Sequence, residues 1–429
     1  MEKFDAVVVG AGPAGSAAAR TLAQRGFSTL LVERGNRPGQ KTMYGGRIYA
    51  YPLEAWYPDW RKDCPVERFV VRESMVFTAD GRSVAIEFES PRLADAKEAS
   101  FTALRSKFDE WMAKKAEEAG AMLVTGIRVD ELWREGGRVR GVVNGKDKVA
   151  ADLVVLAEGA VSSLVRQAGM SKEPSPEQYA VGVKETIELP PTTIEDRFGL
   201  DSRTGAAYVH TGDYTRGCRG GGFLYTNRGT ISLGLVISSQ DLGHRHVSIA
   251  DLMDDYKALP SVAAKIRGGK TVEYSAHLVP ELGGSMSPKT YSDNVLVAGD
   301  AAGFLINNGY TFRGVDLAIA SGVAAGEAAA RARKAGGMSA TNLSAYPSLL
   351  RTYNVLTDLE TFGAAPSYLK NPRLFTLYPE LVVSLAERVY RVDGKGKGKV
   401  LDAALEEMRQ RKLPLIQTLR DLIGGARAM

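Results

Sequence analysis

Residues 3–35 read "KFDAVVVGAGPAGSAAARTLAQRGFSTLLVERG". Phe4 to Val9 is a short Val-rich apolar run, as expected of a strand buried on both faces. Gly10, Gly12 and Gly15 follow at GxGxxG spacing. Ala14 to Arg25 has helical composition, and Gly26 stands where a helix stop belongs. Ser28 to Val32 is a second strand and ends in Glu33. Each part has a physical job in a turn that holds a dinucleotide. Gly10 permits the tight turn, Gly12 lets the backbone approach a pyrophosphate, and Gly15 lets helix and strand pack closely. The helix start, with Pro13 and Ala14 in its first turn, offers free N–H groups and a positive dipole end to the phosphates. Glu33, with Arg34 beside it, is placed for the adenosine ribose hydroxyls, and an acid there disfavours a 2′-phosphate. GxGxxG alone is weak evidence. Here a strand precedes it, a helix follows, and an acid closes the next strand. A glycine-rich turn in some other parallel sheet is the competing reading.

The chain has 429 residues, long for one core, so two or more packed regions are expected. No apolar run approaches the length of a bilayer-spanning helix. The N-terminal apolar stretch lacks the basic start and cleavage site of a signal peptide, so a cytoplasmic protein is expected. Cys64 and Cys218 are far apart and in no CxxC, which argues against a disulfide framework, a zinc site or an iron–sulfur cluster within this chain. The net charge of +5 is mild. It fits an anionic membrane surface, an acidic partner or simply a basic surface, and no nucleic-acid partner is expected. His244 and His246 form a His-x-His without a third ligand nearby and read as a solvated loop. No metal site, nucleophile or acid–base pair stands out.

Two later segments choose the dinucleotide. In residues 101–132, "FTALRSKFDEWMAKKAEEAGAMLVTGIRVDEL", Arg105, Phe108, Asp109 and Trp111 open an amphipathic helix, and Met122 to Thr125 is a strand. Residues 151–169, "ADLVVLAEGAVSSLVRQAG", give another buried strand followed by Glu158-Gly159. In residues 297–322, "VAGDAAGFLINNGYTFRGVDLAIASG", a strand stops at Gly299-Asp300, and Asn307, Asn308 and Gly309 are read on the first turn of the helix that follows. An ordinary N-cap is the alternative role for Asp300.

This ordering resembles the flavoprotein group that includes p-hydroxybenzoate hydroxylase, geranylgeranyl reductase and electron-transfer flavoprotein:quinone oxidoreductase. The resemblance implies FAD, with Asp300 on its ribityl hydroxyls, Arg105 by the pyrophosphate and the backbone near Arg128 and Val129 at the adenine. A structural salt bridge is the alternative for Arg105. Backbone N–H groups around Asn307, Asn308 and Gly309 would stabilise charge on the flavin. The wordings "NNGYTFRGVDLAIASG" and "GGGFLYTN", with "LVERGNRPGQKTMYGGRIYA" (which holds Gly45 and Gly46), "EYSAHLVPELGG" and "LKNPRLFTLYPELVVSL", resemble short FixC-type members of the quinone-oxidoreductase branch. Gly221 and Gly222 match positions that touch the quinone carbonyl there; bare strand curvature is the alternative. Longer members carry a cysteine-ligated iron–sulfur module, whereas no cysteine follows Cys218.

The expectation is therefore an α/β protein. A Rossmann-like FAD-binding domain is assembled from 1–75, 100–180 and 285–345. An antiparallel β quinone or substrate domain comes from 76–99 and 181–284, and a helical region from 346–429. A hairpin is expected at Asp80-Gly81, a turn at Asn227-Arg228-Gly229 and a break at 393–399. The resemblance implies transfer of electrons from electron-transfer flavoprotein subunits, through a ferredoxin-like iron–sulfur subunit, to quinone. Nitrogen fixation and electron bifurcation are both settings of the family. Contact with the inner face of the cytoplasmic membrane is expected through Tyr368, Leu369, Leu374, Phe375, Leu377 and Tyr378. The alternatives are a prenyl-lipid double-bond reductase and a redox-sensing flavin subunit; a flavin hydroxylase fits poorly, since Gly303 takes the usual His position.

Overall fold

Val-rich runs buried on both faces build the first sheet. The computed structural model describes every residue except 1, 41–45, 96, 173, 174, 176, 177, 281–288, 395 and 397, together with all but the side chain of Pro280. Gly45 thus lies outside the described residues. In spatial order the main path of the first sheet is Tyr291–Ser292, Val295–Val297, Asp147–Leu156, Lys3–Val9, Thr29–Val32 and Met122–Val124. The five strands from Val295–Val297 onward are parallel. Two further strands, Glu131–Glu135 and Arg138–Asn144, extend it antiparallel. Lys3–Val9 is central, and the chain crosses first to one side and then to the other. A Rossmann-like sheet with this reversal leaves its crevice at the carboxyl ends of the central pair.

Two helices cover one face. Pro13–Gln24 follows the glycine turn, and Val315–Lys334 lies against it. Small residues decide the distance between them. A Cβ on Gly322 would run into the Ala14 carbonyl, and one on Gly326 would press on Thr21. One on Gly15 would land on the Gly10 carbonyl oxygen. The Arg105–Glu118 helix packs on the other side of Pro13–Gln24.

The second sheet has nine strands. Its main path is Lys270–Pro280, Tyr179–Glu188, Thr230–Ser238, Gly220–Thr226, Thr204–Gly212, Arg68–Ala79, Ser100–Ala103 and Gly46–Tyr49, with Arg82–Glu89 on Arg68–Ala79. The hairpin at Asp80-Gly81 and the turn at 227–229 are present; Asp80 and Gly81 take φ of 50° and 73°. Two expectations need correction. The sheet is mixed, because Thr204–Gly212 pairs parallel with Arg68–Ala79. Also, residues 46–49, 68–75 and 100–103 pair into this sheet rather than into the first. The physical reason is a corner that local pattern cannot reveal. Buried Arg68 donates to the carbonyls of Asn227 (2.8 Å) and Thr204 (3.2 Å) and pairs with Glu195 (3.0 Å), tying the early strand to the later hairpin.

From Tyr346 onward the described chain is helical, and the helices Leu377–Tyr390 and Val400–Gln410 flank the expected break. The last helix, Leu415–Ala428, is docked by one carboxylate. Asp421 accepts two bonds from Arg373 (2.7 and 3.0 Å), one from the Tyr378 hydroxyl (2.6 Å) and one from Gln417 (2.9 Å). The Arg373 hydrogen bonds, with smaller help from Tyr378, hold this carboxyl below the usual carboxylate range. No helix is long and apolar enough to cross a membrane among the described residues.

Gly322→Ala is expected to lower stability by about 1–3 kcal/mol, because the added methyl meets a carbonyl and not a yielding side chain; chemical denaturation measures it. A depressed carboxylate contributes stability that is complete above its unfolded pKa and lost as pH falls below it. Amide-exchange protection of 415–428 should therefore be kept near neutrality and fall below about pH 4, and Asp421→Asn should lose it at every pH.

Candidate functional site

A cavity of about 760 Å³ begins at the carboxyl ends of Lys3–Val9 and Asp147–Leu156 and continues between the two sheets. Of the residues expected at the site, Gly10, Gly12, Pro13, Ala14, Glu33, Arg34, Gly46, Arg105, Arg128, Val129, Glu158, Gly159, Asp300, Asn307, Gly309, Gly221 and Gly222 all line it. Gly15, Gly299 and Asn308 lie behind the wall. A Cβ on Gly299 would come within 2.8 Å of the Ala14 methyl, and the Gly299 N–H donates to Ser321 Oγ (3.0 Å).

Two observations test whether a flavin dinucleotide fits. Gly12 has φ −75°, which any residue adopts, and a Cβ there would meet no protein atom within 4 Å. Neither the backbone nor the packing of the chain requires glycine at this point; a ligand pressed against the turn does. Asp300 is the second. Its carboxylate faces the cavity and finds no hydrogen-bond partner among the described residues. Burial pushes its pKa up, while Arg105 and His277 pull the other way. An orphaned carboxylate needs donors, and a polyhydroxyl chain supplies them. The residues fit FAD. Asp300 is no cap for the long helix, which starts at Val315.

Several side chains brace the cradle. Glu33 accepts from the Ala11 N–H (3.0 Å) and the Gly35 N–H (2.7 Å), so the acid that ends the second strand also holds the glycine turn closed. Arg105 makes a bidentate bond to buried Asp109 (2.7 and 2.9 Å), the salt-bridge alternative, and also lines the cavity. Glu158 accepts from the Leu164 N–H (3.1 Å), the Val165 N–H (3.3 Å) and the Ser163 hydroxyl (3.3 Å). Its carboxylate thus serves the start of the Ser163–Gln167 helix. The Arg128 carbonyl accepts from Asn144 (2.7 Å).

Three expectations are corrected. Asn307, Asn308 and Gly309 are not on a helix turn. They sit in a small hairpin, Ile306–Asn307 against Phe312–Arg313. The Gly309 N–H donates to Asn307 Oδ1 (3.0 Å), and buried Asn308 accepts from the Thr311 N–H (2.8 Å) and hydroxyl (2.9 Å). Asparagines in consecutive positions favour such side-chain-closed turns, and the donors at 308 and 309 are spent inside the hairpin. Gly222 donates its N–H to the Tyr214 hydroxyl (2.6 Å), so that group is not open to a ligand. A Cβ there would strike the Tyr256 ring, which makes the glycine a packing requirement. Finally, Tyr368, Leu369, Leu374, Phe375, Leu377 and Tyr378 are half-buried, and Leu369 and Phe375 line the cavity. Exposed apolar side chains of this region lie instead at Tyr390, Val392, Val400 and Leu401 and on the last helix, at Leu415, Ile416, Leu419, Leu422 and Ile423.

Other wall residues carried weak signals. Gly39, at φ +75°, lets the loop pass Arg105; a Cβ would come within 2.8 Å of the Arg105 carbonyl. Arg313 pairs with buried Asp316 (2.8 Å) and with Asp358 (2.6 Å), drawing the Val355–Thr361 helix to the cavity. Arg47 donates to Glu73 (2.8 Å). His277 lines the cavity, its pKa lowered by burial and partly restored by Asp300. His210 is buried, 2.9 Å from the Tyr256 hydroxyl, with its pKa pushed down to about 3 by burial. His244 and His246 are exposed, and no metal-holding cluster occurs among the described residues.

Comparison with known proteins agrees with this geometry. Residues 365–429 match the ETF-QO/FixC family C-terminal domain, 8–70 an NAD(P)-binding Rossmann-like domain and 104–328 an FAD dependent oxidoreductase domain. The chain is 43% identical over 428 residues to a probable electron transfer flavoprotein-quinone oxidoreductase, YdiS, of Escherichia coli K12, covering 100% of this chain and 99% of that one. It is 43% identical over 422 residues to the protein FixC of the same organism, with 98% of each covered. FixC of Azorhizobium caulinodans is 38% identical over 402 residues, 92% of each. In fold, the chain is similar to a geranylgeranyl bacteriochlorophyll reductase-like protein of Thermoplasma acidophilum (TM-score 0.70, 20% identity, 98% and 100% covered). The myxobacterial halogenase CndH is similar at TM-score 0.61 and 17% identity, with 100% and 91% covered.

Gly12→Ala is expected to leave the melting temperature of the FAD-free protein unchanged and to weaken FAD binding on the order of ten- to a hundredfold, since the methyl takes ligand space at an overpacking cost of about 1–3 kcal/mol. Fluorescence titration with FAD reads the affinity.

Proposed function

Because the chain belongs to the ETF-QO/FixC family, we propose that it passes electrons from an electron-transfer flavoprotein, through its FAD, to a membrane quinone. It is an FAD-dependent electron-transfer oxidoreductase, and FAD, once bound, supplies the electron-accepting and electron-donating chemistry. The observation that carries the reading is one continuous cavity. Its inner end has the glycine turn and the unpartnered Asp300, and its outer end is walled by Phe312, Leu359, Phe362, Pro366, Leu369 and Phe375. A polar dinucleotide and a flat apolar acceptor need those two environments side by side.

In this reading the chain's residues bind and orient. The turn Gly10–Ala14 holds the pyrophosphate, Glu33 the ribose, the backbone at Arg128 and Val129 the adenine, and Asp300 the ribityl hydroxyls. Arg105, fixed by Asp109, neutralises phosphate charge. The apolar outer end admits the acceptor and keeps water from the ring. Cys64 and Cys218 are too few to ligate an iron–sulfur cluster, and in this reading a ferredoxin-like subunit supplies the iron–sulfur relay. The stripe Leu415, Ile416, Leu419, Leu422 and Ile423, at helical spacing and exposed, suits contact with a lipid surface from the side where the outer wall lies.

The anaerobically reduced protein should be reoxidised rapidly by a short-chain quinone and not by a geranylgeranyl lipid. Reoxidation by the lipid, with saturated chains formed, would instead assign a prenyl-lipid reductase, a reading for which the apolar outer wall is also suited. The protein should float with liposomes containing anionic lipid, and a Leu419→Asp, Leu422→Asp variant should stay at the bottom of the gradient.

A further inference from the structure

The quinone reading leaves open which group meets the acceptor's oxygen, and the bare backbone at Gly222 is already spent on Tyr214. Tyr225 lies three residues further along the same strand. Its side chain lines the cavity, with the residue only 7% exposed. Among the described residues its hydroxyl hydrogen-bonds to nothing. The hydroxyls of Tyr49 and Tyr57 are also unpartnered, but they are fully buried; that of Tyr225 is not. A phenol tip this deeply buried ordinarily finds a partner.

The ring is held on two sides. It stacks on Phe223 with centroids 5.0 Å apart and an interplanar angle of 24°. It packs with Val70, Ala207 and Phe223 against the sheet. Arg47 also lines the cavity and is already paired with Glu73 (2.8 Å). We propose that the Tyr225 hydroxyl is the hydrogen-bond donor to a carbonyl oxygen of the electron acceptor. This rests on the quinone reading above and names the residue that serves it. Burial raises the phenol's pKa, which keeps it a neutral donor throughout the physiological range. As two electrons enter a quinone, negative charge grows on its oxygens, and a donor already in place stabilises that charge more than it stabilises the neutral ground state. The two protons that complete the quinol come from solvent; Tyr225 keeps its own.

The test compares wild type with Tyr225→Phe, which keeps the ring stack. Both are reduced anaerobically and mixed with either a short-chain quinone or ferricyanide, an acceptor without a carbonyl. FAD content and the visible spectrum confirm that each variant is loaded. Tyr225→Phe should slow reoxidation by quinone roughly tenfold, the loss of one hydrogen bond to a charging oxygen, and leave reoxidation by ferricyanide unchanged. It should also weaken the spectral shift that a tightly binding quinone analogue induces in the oxidised flavin. Equal quinone rates in the two proteins would overturn the Tyr225 assignment alone. Equal slowing with both acceptors would also overturn it, by making Tyr225 a structural residue. If wild type itself is not reoxidised by quinone, the quinone reading falls and takes this assignment with it.

Discussion

The close seat of Val315–Lys334 on Pro13–Gln24 is the contact the rest depends on. Glycines at 15, 322 and 326 remove the side chains that would hold helix from turn and helix from helix. With the two helices in contact, Gly299 is brought to the Ala14 methyl, and Asp300 comes level with the glycine turn. Residues almost 300 positions apart then share one cavity. A single methyl at these points would separate the two ends of the dinucleotide site, because backbone yields far less than a side chain tip.

Around that seat the molecule places charge economically. Arg105 is matched by Asp109, Arg313 by Asp316 and Asp358, and Arg47 by Glu73. A buried charge without a partner is costly, so these cations come already paired and oriented. Among the described residues the Asp300 carboxylate has no such partner, and further along the cavity neither does the Tyr225 hydroxyl.

The second sheet and the C-terminal helices give the cavity its outer half. Arg68 closes a corner between strands distant in sequence, and the Asp421 cluster docks the last helix with its apolar stripe turned outward. Because the docking is polar and the outer face apolar, the helix is held by one side and free to meet a surface with the other. This is the arrangement expected of a helix that lies on an interface rather than in a core.

The glycine turn, the strands of the first sheet, the Asp80-Gly81 hairpin and the helical composition near Asp300 were legible in the chain alone, because each is a local pattern: glycine spacing, apolar period, turn chemistry. The full-length likeness to FixC proteins was legible for the same reason, through short wordings around Gly222 and Asn307. What only the tertiary structure decided is which polar groups are spent and which remain. Gly309 and Gly222 looked like open donors, yet Asn307 and Tyr214 use them; Tyr225 looked like one more strand aromatic, yet its hydroxyl is free. Likewise, strand 100–103 joined the second sheet by pairing with the start of Arg68–Ala79 and carried strand 46–49 with it, and exposed apolar side chains lie on 415–423 rather than on 368–378. Hydrogen-bond partners and solvent exposure are set by residues far away in the chain, so no local window carries them.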